Sequence, residues 1–244
     1  MPIEGFRHWL ETPQGQYVLN WELSKHDLLL ADVFGFNAVQ IGVAEVDYLR
    51  SNRMPFRFRA GLEGPEQVVT DLHHLPFASS SIDLVVLPHA LEFDDNPHQI
   101  LREVERILVP EGQVVVTGFN PFSLWGARRR CHRAGDAPFA GRYISVPRLR
   151  DWFALLGLET RAGAFGCYAP AFTQEKWLRR FHFMEPAGDR WWPFAGAVYV
   201  MQGIKRQHGM RLLTPAWQDR KARAKALAAL TNKTTHQTKE HAEP

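Results

Sequence analysis

The stretch "TDLHHLPFASSSIDLVVLPHALEFDDNPHQILREVERILVPEGQVVVTGF", residues 70–119, decides the fold. Within it IDLVVLP, residues 82–88, is almost wholly apolar, the pattern of a strand buried on both faces. Asn96 then offers a helix cap, Pro97 suits the first turn, and Gln99 stands at the capping-box position. Ile100, Leu101, Val104, Ile107 and Leu108 form one apolar stripe at helical spacing, and Pro110 with Gly112 stop the helix. GQVVVTGF, residues 112–119, is a second buried strand. Strand, helix and strand in that order make a βαβ unit, which is right-handed in almost all proteins.

The alternation continues on both sides. Upstream, NAVQIGVAEVDYLRS, residues 37–51, reads as a strand and the turn after it, FRF at 56–58 as a weak strand, and QVVTD at 67–71 as another. Downstream, residues 146–157 form a helix ended by Gly157, and two closing strands lie in 158–168 and 196–206. Residues 12–35 predict an N-terminal helix with Thr12 as cap, Pro13 in the first turn, Gly35 at its end, and Leu19, Leu23, Leu30 and Val33 on its apolar side. The pattern is α/β with a mostly parallel sheet. One domain is expected over residues 1–206, with the sheet core in 38–205. Residues 207–244 read as a basic tail, helical in RKARAKALAAL and otherwise disordered.

Bulk composition narrows the function. A hydrophobic content of 45% supports a sizeable core, and a net charge of +3 does not suit a polyanion-binding globule. No apolar run reaches the roughly 20 residues of a membrane span, and the first residues carry no export signal. Cys131 and Cys167 fit two reduced thiols, so a cytoplasmic location is expected.

Residues 70–119 resemble the central part of class I S-adenosylmethionine-dependent methyltransferases, in the small-molecule branch that includes quinone-biosynthesis C-methyltransferases. The matching residues are Asp71, Leu75-Pro76-Phe77, the strand 82–87, His89, and residues 108–112, where Glu111 replaces the first glycine of the family's Pro-Gly-Gly. The resemblance implies a Rossmann-like, seven-stranded, mostly parallel methyltransferase sheet with S-adenosylmethionine across the C-terminal ends of its first strands. It also implies that Gln40 and Gly42 lie in the cofactor turn, Asp71 accepts from the adenine amino group, and Leu72 donates to the adenine ring through its backbone. His89 would stand by the sulfonium and the substrate.

Two departures mark the cofactor half. Family members have an acid and three glycines in the first loop; here those positions are Gln40, Gly42, Ala44 and Val46. A positive φ at Val46 would be strained. The second departure is the short gap, residues 60–66, between FRF and QVVT, where a parallel crossover needs about a dozen residues. FRF is therefore expected not to be a parallel strand, or to pair differently, and Glu63 is the substitute acid for the ribose.

His89 reads either as a base and substrate-orienting group or as a strand-end histidine bonded to backbone. Asn120 in GFNPF, Arg128 in the basic run WGARRRCHR, Tyr143, and Trp191 in RWWPF are the candidate substrate contacts. The run of arginines is an anion-recognising lid or a solvated turn. His73 and His74 have no third ligand at suitable spacing, so no metal is expected. Glu92, Asp94 and Asp95 are expected to be solvated ahead of the helix that follows. Methyl transfer to a small organic acceptor is the leading expectation. A non-catalytic protein of the same fold is the rival, and an RNA methyltransferase the weaker one.

Overall fold

Strand β4 (Ile82–Pro88) is the middle of the sheet, and its side chains are buried except for Asp83. The computed structural model describes residues 4–43, 45–62, 67–131 and 138–206. The other strands are β1 (Asn37–Ile41), β2 (Phe56–Gly61), β3 (Val68–Val69), β5 (Leu108–Phe119), β6 (Leu158–Gly166) and β7 (Val198–Lys205). They form a seven-stranded sheet in the order β3-β2-β1-β4-β5-β7-β6. Only β7 runs against its neighbours, pairing antiparallel with β5 and β6.

The helices are α1 (Glu4–Leu10), α2 (Pro13–Leu30), α3 (Pro97–Ile107), α4 (Leu124–Cys131), α5 (Val146–Leu155), α6 (Glu175–Arg180) and α7 (Met184–Trp191). Two hydrophobic layers sandwich the sheet. One joins Ile100, Leu101, Val104 and Ile107 of α3 to Leu149 and Phe153 of α5. The other joins Phe6 and Trp9 of α1, Val18 and Leu30 of α2, and Trp125 of α4. The β4–α3–β5 unit is as the sequence predicts, although Asn96 makes no side-chain cap bond and Gln99 reaches the His73 carbonyl instead of closing a capping box. Gly157 ends α5 region with φ +71.

FRF is a parallel strand after all. β2 pairs in parallel with β1 from Phe56 to Ala60. The short gap is bridged because β3 is only two residues long and the return is clamped locally. Gln67 N–H donates to the Arg59 carbonyl at 3.0 Å, and Arg59 N–H donates to Gln67 Oε1 at 2.8 Å. A long crossover is needed to align long strands; two paired residues do not demand it. Glu63 and the tail 207–244 lie outside the described residues.

The N-terminal helix differs in two ways from the periodicity reading. It stops at Leu30, before Gly35, and its buried face is Gln14, Gly15, Val18, Glu22, His26 and Leu30. Leu19 and Leu23 are only partly buried. Polar side chains occupy the inner face because each finds a partner there, which an apolar pattern cannot register. Thr12 does cap the helix, its hydroxyl accepting from Gly15 N–H at 3.1 Å. Gly15 is required where α1 and α2 meet, since an added Cβ would lie 2.2 Å from the Trp9 carbonyl oxygen.

Candidate functional site

The chain runs β1 to β3 toward one edge, then returns to β4 beside β1. The tips of β1 and β4 are therefore a topological switch point, where open α/β sheets leave a crevice for ligands. Gly42 leaves β1 there with φ +118. A Cβ on it would stand 3.0 Å from the Pro88 carbonyl and 3.1 Å from Ala90 Cβ, so the turn packs against the end of β4 through backbone alone.

Gln40 stands where the resemblance expects an acid, and the structure shows what its amide does. Nε2 donates to the carbonyls of Val43 at 2.5 Å and Val46 at 2.7 Å, and Oε1 accepts from Tyr48 N–H at 2.9 Å. A neutral amide can tie both donors and an acceptor into one loop; a carboxylate has no donor for those carbonyls. Gln40 is buried, so the loop is pinned from inside. Val46 is not among the left-handed residues, so the anticipated strain at that position does not arise. Ala44 lies outside the described residues.

His89 follows β4 with φ +51 and no exposure. Its Nε2 lies 2.7 Å from Glu22 Oε1 of α2 and its Nδ1 lies 2.8 Å from Glu92 Oε2. Glu22 also accepts from the Tyr48 hydroxyl at 2.7 Å, and Glu92 accepts from Phe119 N–H. Burial alone would lower the imidazole's pKa, but the charge and hydrogen bonds of Glu22, joined by Glu92, push it up to about 10. His89 is thus cationic at neutral pH, with both nitrogens donating. His26, one turn along α2, is pulled below its ordinary value by burial. Its Nδ1 faces the Glu22 carbonyl at 2.9 Å and its Nε2 faces the Thr117 hydroxyl at 3.2 Å, which suits a neutral ring.

Glu92 corrects the expectation of a solvated acid: it is 2% exposed. Its separation of three residues from His89 was the available signal. Glu22, Tyr48, Phe6 and Trp9 were missed, because nothing local in the sequence ties the N-terminal helices to residue 89. Phe6 and Phe119 pack on the His89 ring at centroid distances of 5.0 and 4.6 Å.

Among the candidate substrate residues, Tyr143 joins this cluster. Its ring stacks on Phe119 at 5.1 Å, and the Arg129 guanidinium covers it at 5.1 Å. Its hydroxyl is buried and has no hydrogen-bond partner among the described residues. Burial, reinforced by the Glu92 charge, pushes its pKa upward. Asn120 is buried and ties the chain together, donating to the carbonyls of Phe194 at 2.7 Å and Gly196 at 2.9 Å. Arg128 donates to the Ala171 carbonyl and lies over Phe139. Trp191 is 72% exposed on α7, away from these contacts.

Asp71 sits after β3 with a half-exposed carboxylate that accepts from His73 N–H at 2.9 Å and faces the His74 ring at 3.3 Å. The His73 backbone bond, with His74 beside it, holds its carboxyl below the usual range. His73 spans from Asp71 to Asp94 at 3.1 and 2.9 Å. Leu72 is buried, and its N–H makes no hydrogen bond among the described residues. No group of three His, Cys, Asp or Glu suited to a metal occurs among the described residues.

Residues 30–116 match a family described as "Methyltransferase domain". The uncharacterized protein YafS of Escherichia coli is 34% identical over 131 residues, covering 52% of this chain and 54% of that one. A malonyl-[acyl-carrier protein] O-methyltransferase of Halorhodospira halophila is 34% identical over 90 residues, covering 37% of this chain and 30% of its own. The chain thus spans about half the length of the first of these relatives and less than a third of the second. Among solved structures, the Haloferax volcanii complex between the Trm112 methyltransferase activator and a methyltransferase aligns with TM-score 0.59 at 18% identity, over 85% of this chain and 99% of that one.

Proposed function

We propose that the chain is a class I S-adenosylmethionine-dependent methyltransferase that transfers a methyl group from S-adenosylmethionine to a small organic acceptor, a reading supported by the methyltransferase-domain match over residues 30–116. The observation that carries the reading is Gly42, left-handed and packed by its backbone against Pro88 at the switch point between β1 and β4.

The residues fit the cofactor at three places. The Gly42 turn leaves little room for a side chain, and among the described residues the Leu72 N–H is unengaged and the buried Tyr143 hydroxyl has no partner. Buried polar groups are nearly always satisfied, so an orphaned hydroxyl beside the site suits a ligand. We assign the turn at Gly42, with Asp71 and Leu72, to holding the cofactor. When bound, it supplies a methyl group already activated on a sulfonium. The chain's part is then alignment and exclusion of water. Phe6, Trp9 and Phe119 supply the dry wall, and Glu22 with Glu92 fix it by gripping His89 from both sides.

Gln40 serves the loop and leaves no amide donor for the cofactor's ends. His89 as a base would need Glu22 or Glu92 to release a ring nitrogen, so we assign it a positioning role. An acceptor that is already nucleophilic at neutral pH needs no base. This agrees with the O-methyltransferase activity named for the Halorhodospira halophila relative.

A second reading, a non-catalytic protein of this fold, is favoured by one observation: Gln40 and His89 are both fully engaged within the chain. Incubation with methyl-labelled S-adenosylmethionine and, separately, the small-molecule, RNA and protein fractions of a cell extract separates the two. Label in a small product supports the enzyme. Label only in RNA or protein contradicts the small acceptor, and none in any fraction favours the second reading.

A further inference from the structure

A cavity of about 520 Å³ lies between α5 and the β6–β7 pair, apart from the Gly42 turn. Its volume is in the range of pockets that enclose small organic ligands. The space exists because β6 carries Gly163, with no side chain, where it faces α5. Gly163 pairs with Met201, and Phe165 with Tyr199, so these four share one face of the sheet. A Cβ on Gly163 would meet nothing nearer than the Val200 carbonyl at 3.5 Å. Phe122 and Phe194 stand at the rim, 68% and 75% exposed.

The polar groups of this cavity are few. Both amide hydrogens of Asn120 are already given to Phe194 and Gly196. Thr160 offers a hydroxyl. Arg150 is exposed on α5 and forms no ion pair among the described residues; Asp151 adjoins it, and Glu159 nearby is taken by Arg206. An apolar chamber with one uncommitted guanidinium is complementary to an apolar body carrying one anion, and the planar fork of arginine matches a carboxylate.

We propose that the cavity between α5 and β6–β7 binds an apolar carboxylate, its body against Phe165, Tyr199 and Met201 and its anion on Arg150. The inference needs only the cavity and the guanidinium, and it stands whether or not the chain transfers methyl groups.

Titration of the full chain with decanoate by calorimetry tests it, with 1-decanol as the uncharged comparison. Decanoate is expected to bind in the micromolar to millimolar range, and Arg150→Gln to weaken it about tenfold, the scale of one charge-assisted hydrogen bond. Gly163→Leu fills the chamber and is expected to abolish binding with thermal unfolding retained. Arg150 is exposed, so its variant keeps the test readable if Gly163→Leu fails to fold. No binding of decanoate at millimolar concentration overturns the proposal, as does binding indifferent to a folded Gly163→Leu. Equal affinity for 1-decanol overturns the carboxylate.

Discussion

Glu22 and His89 come from elements far apart in the chain, yet their side chains meet at 2.7 Å with neither exposed to solvent. This contact fastens the N-terminal helices to the end of β4. Breaking a buried pair leaves one charge uncompensated, so Glu22→Ala should lower stability by about 3–5 kcal/mol in urea unfolding. Glu22→Gln, which keeps a hydrogen-bond acceptor, should cost less. Equal stability of wild type and Glu22→Ala would remove the contact from the account.

The same contact predicts a dependence on pH. The folded pKa of His89, about 10, lies above its ordinary value. The bound proton therefore contributes stability that is complete below about pH 6.5, the unfolded value, and is lost as pH rises through the folded one. Wild type should lose stability between neutral pH and pH 10. His89→Asn, chosen because asparagine tolerates a positive φ, should show a shallower slope. Parallel slopes would contradict a cationic His89.

Gly42→Ala introduces a side chain at φ +118, 3.0 Å from the Pro88 carbonyl. Strain of this kind is on the order of 1–3 kcal/mol. Chemical denaturation should show that loss, and binding of S-adenosylhomocysteine should weaken with it. An unperturbed Gly42→Ala would mean that the turn is not held as described.

Glu111 has φ +64 where the family's pattern has glycine. Its carboxylate pairs with Arg206, but both groups are about half exposed, so the pair is worth little. Glu111→Gly should be neutral or stabilising by up to about 1 kcal/mol, read as a raised urea midpoint. A loss larger than that would show that the ion pair outweighs the backbone strain.

Tyr143→Phe separates two roles by sign. Removing an unsatisfied buried hydroxyl should stabilise the free protein by about 1 kcal/mol or more. If that hydroxyl meets a ligand, cofactor or acceptor affinity should fall in the same variant. A variant that is less stable when free would show that the hydroxyl has a partner.

The β4–α3–β5 unit and the closing β6–β7 pair were legible because buried strands and an amphipathic helix leave apolar patterns of distinct period. Gly42 was legible as the retained glycine of its loop. The inner face of α2 was not, because Glu22 and His26 are buried through partners distant in sequence, and burial of a paired acid leaves no apolar signal. β2 was misjudged because crossover length was set against strands of normal length, and β3 has two residues. The role of Gln40 was hidden for a related reason: an amide that bonds its own loop reads in sequence as a lost acid.

The central claim is that the Gly42 turn still holds S-adenosylmethionine although Gln40 replaces the acid. Calorimetric titration with S-adenosylhomocysteine tests it most directly. The account predicts saturable binding that Asp71→Ala weakens by about 1.5–3 kcal/mol, the range for a hydrogen bond to a charged group. Absence of binding at millimolar ligand, in folded protein, would contradict it.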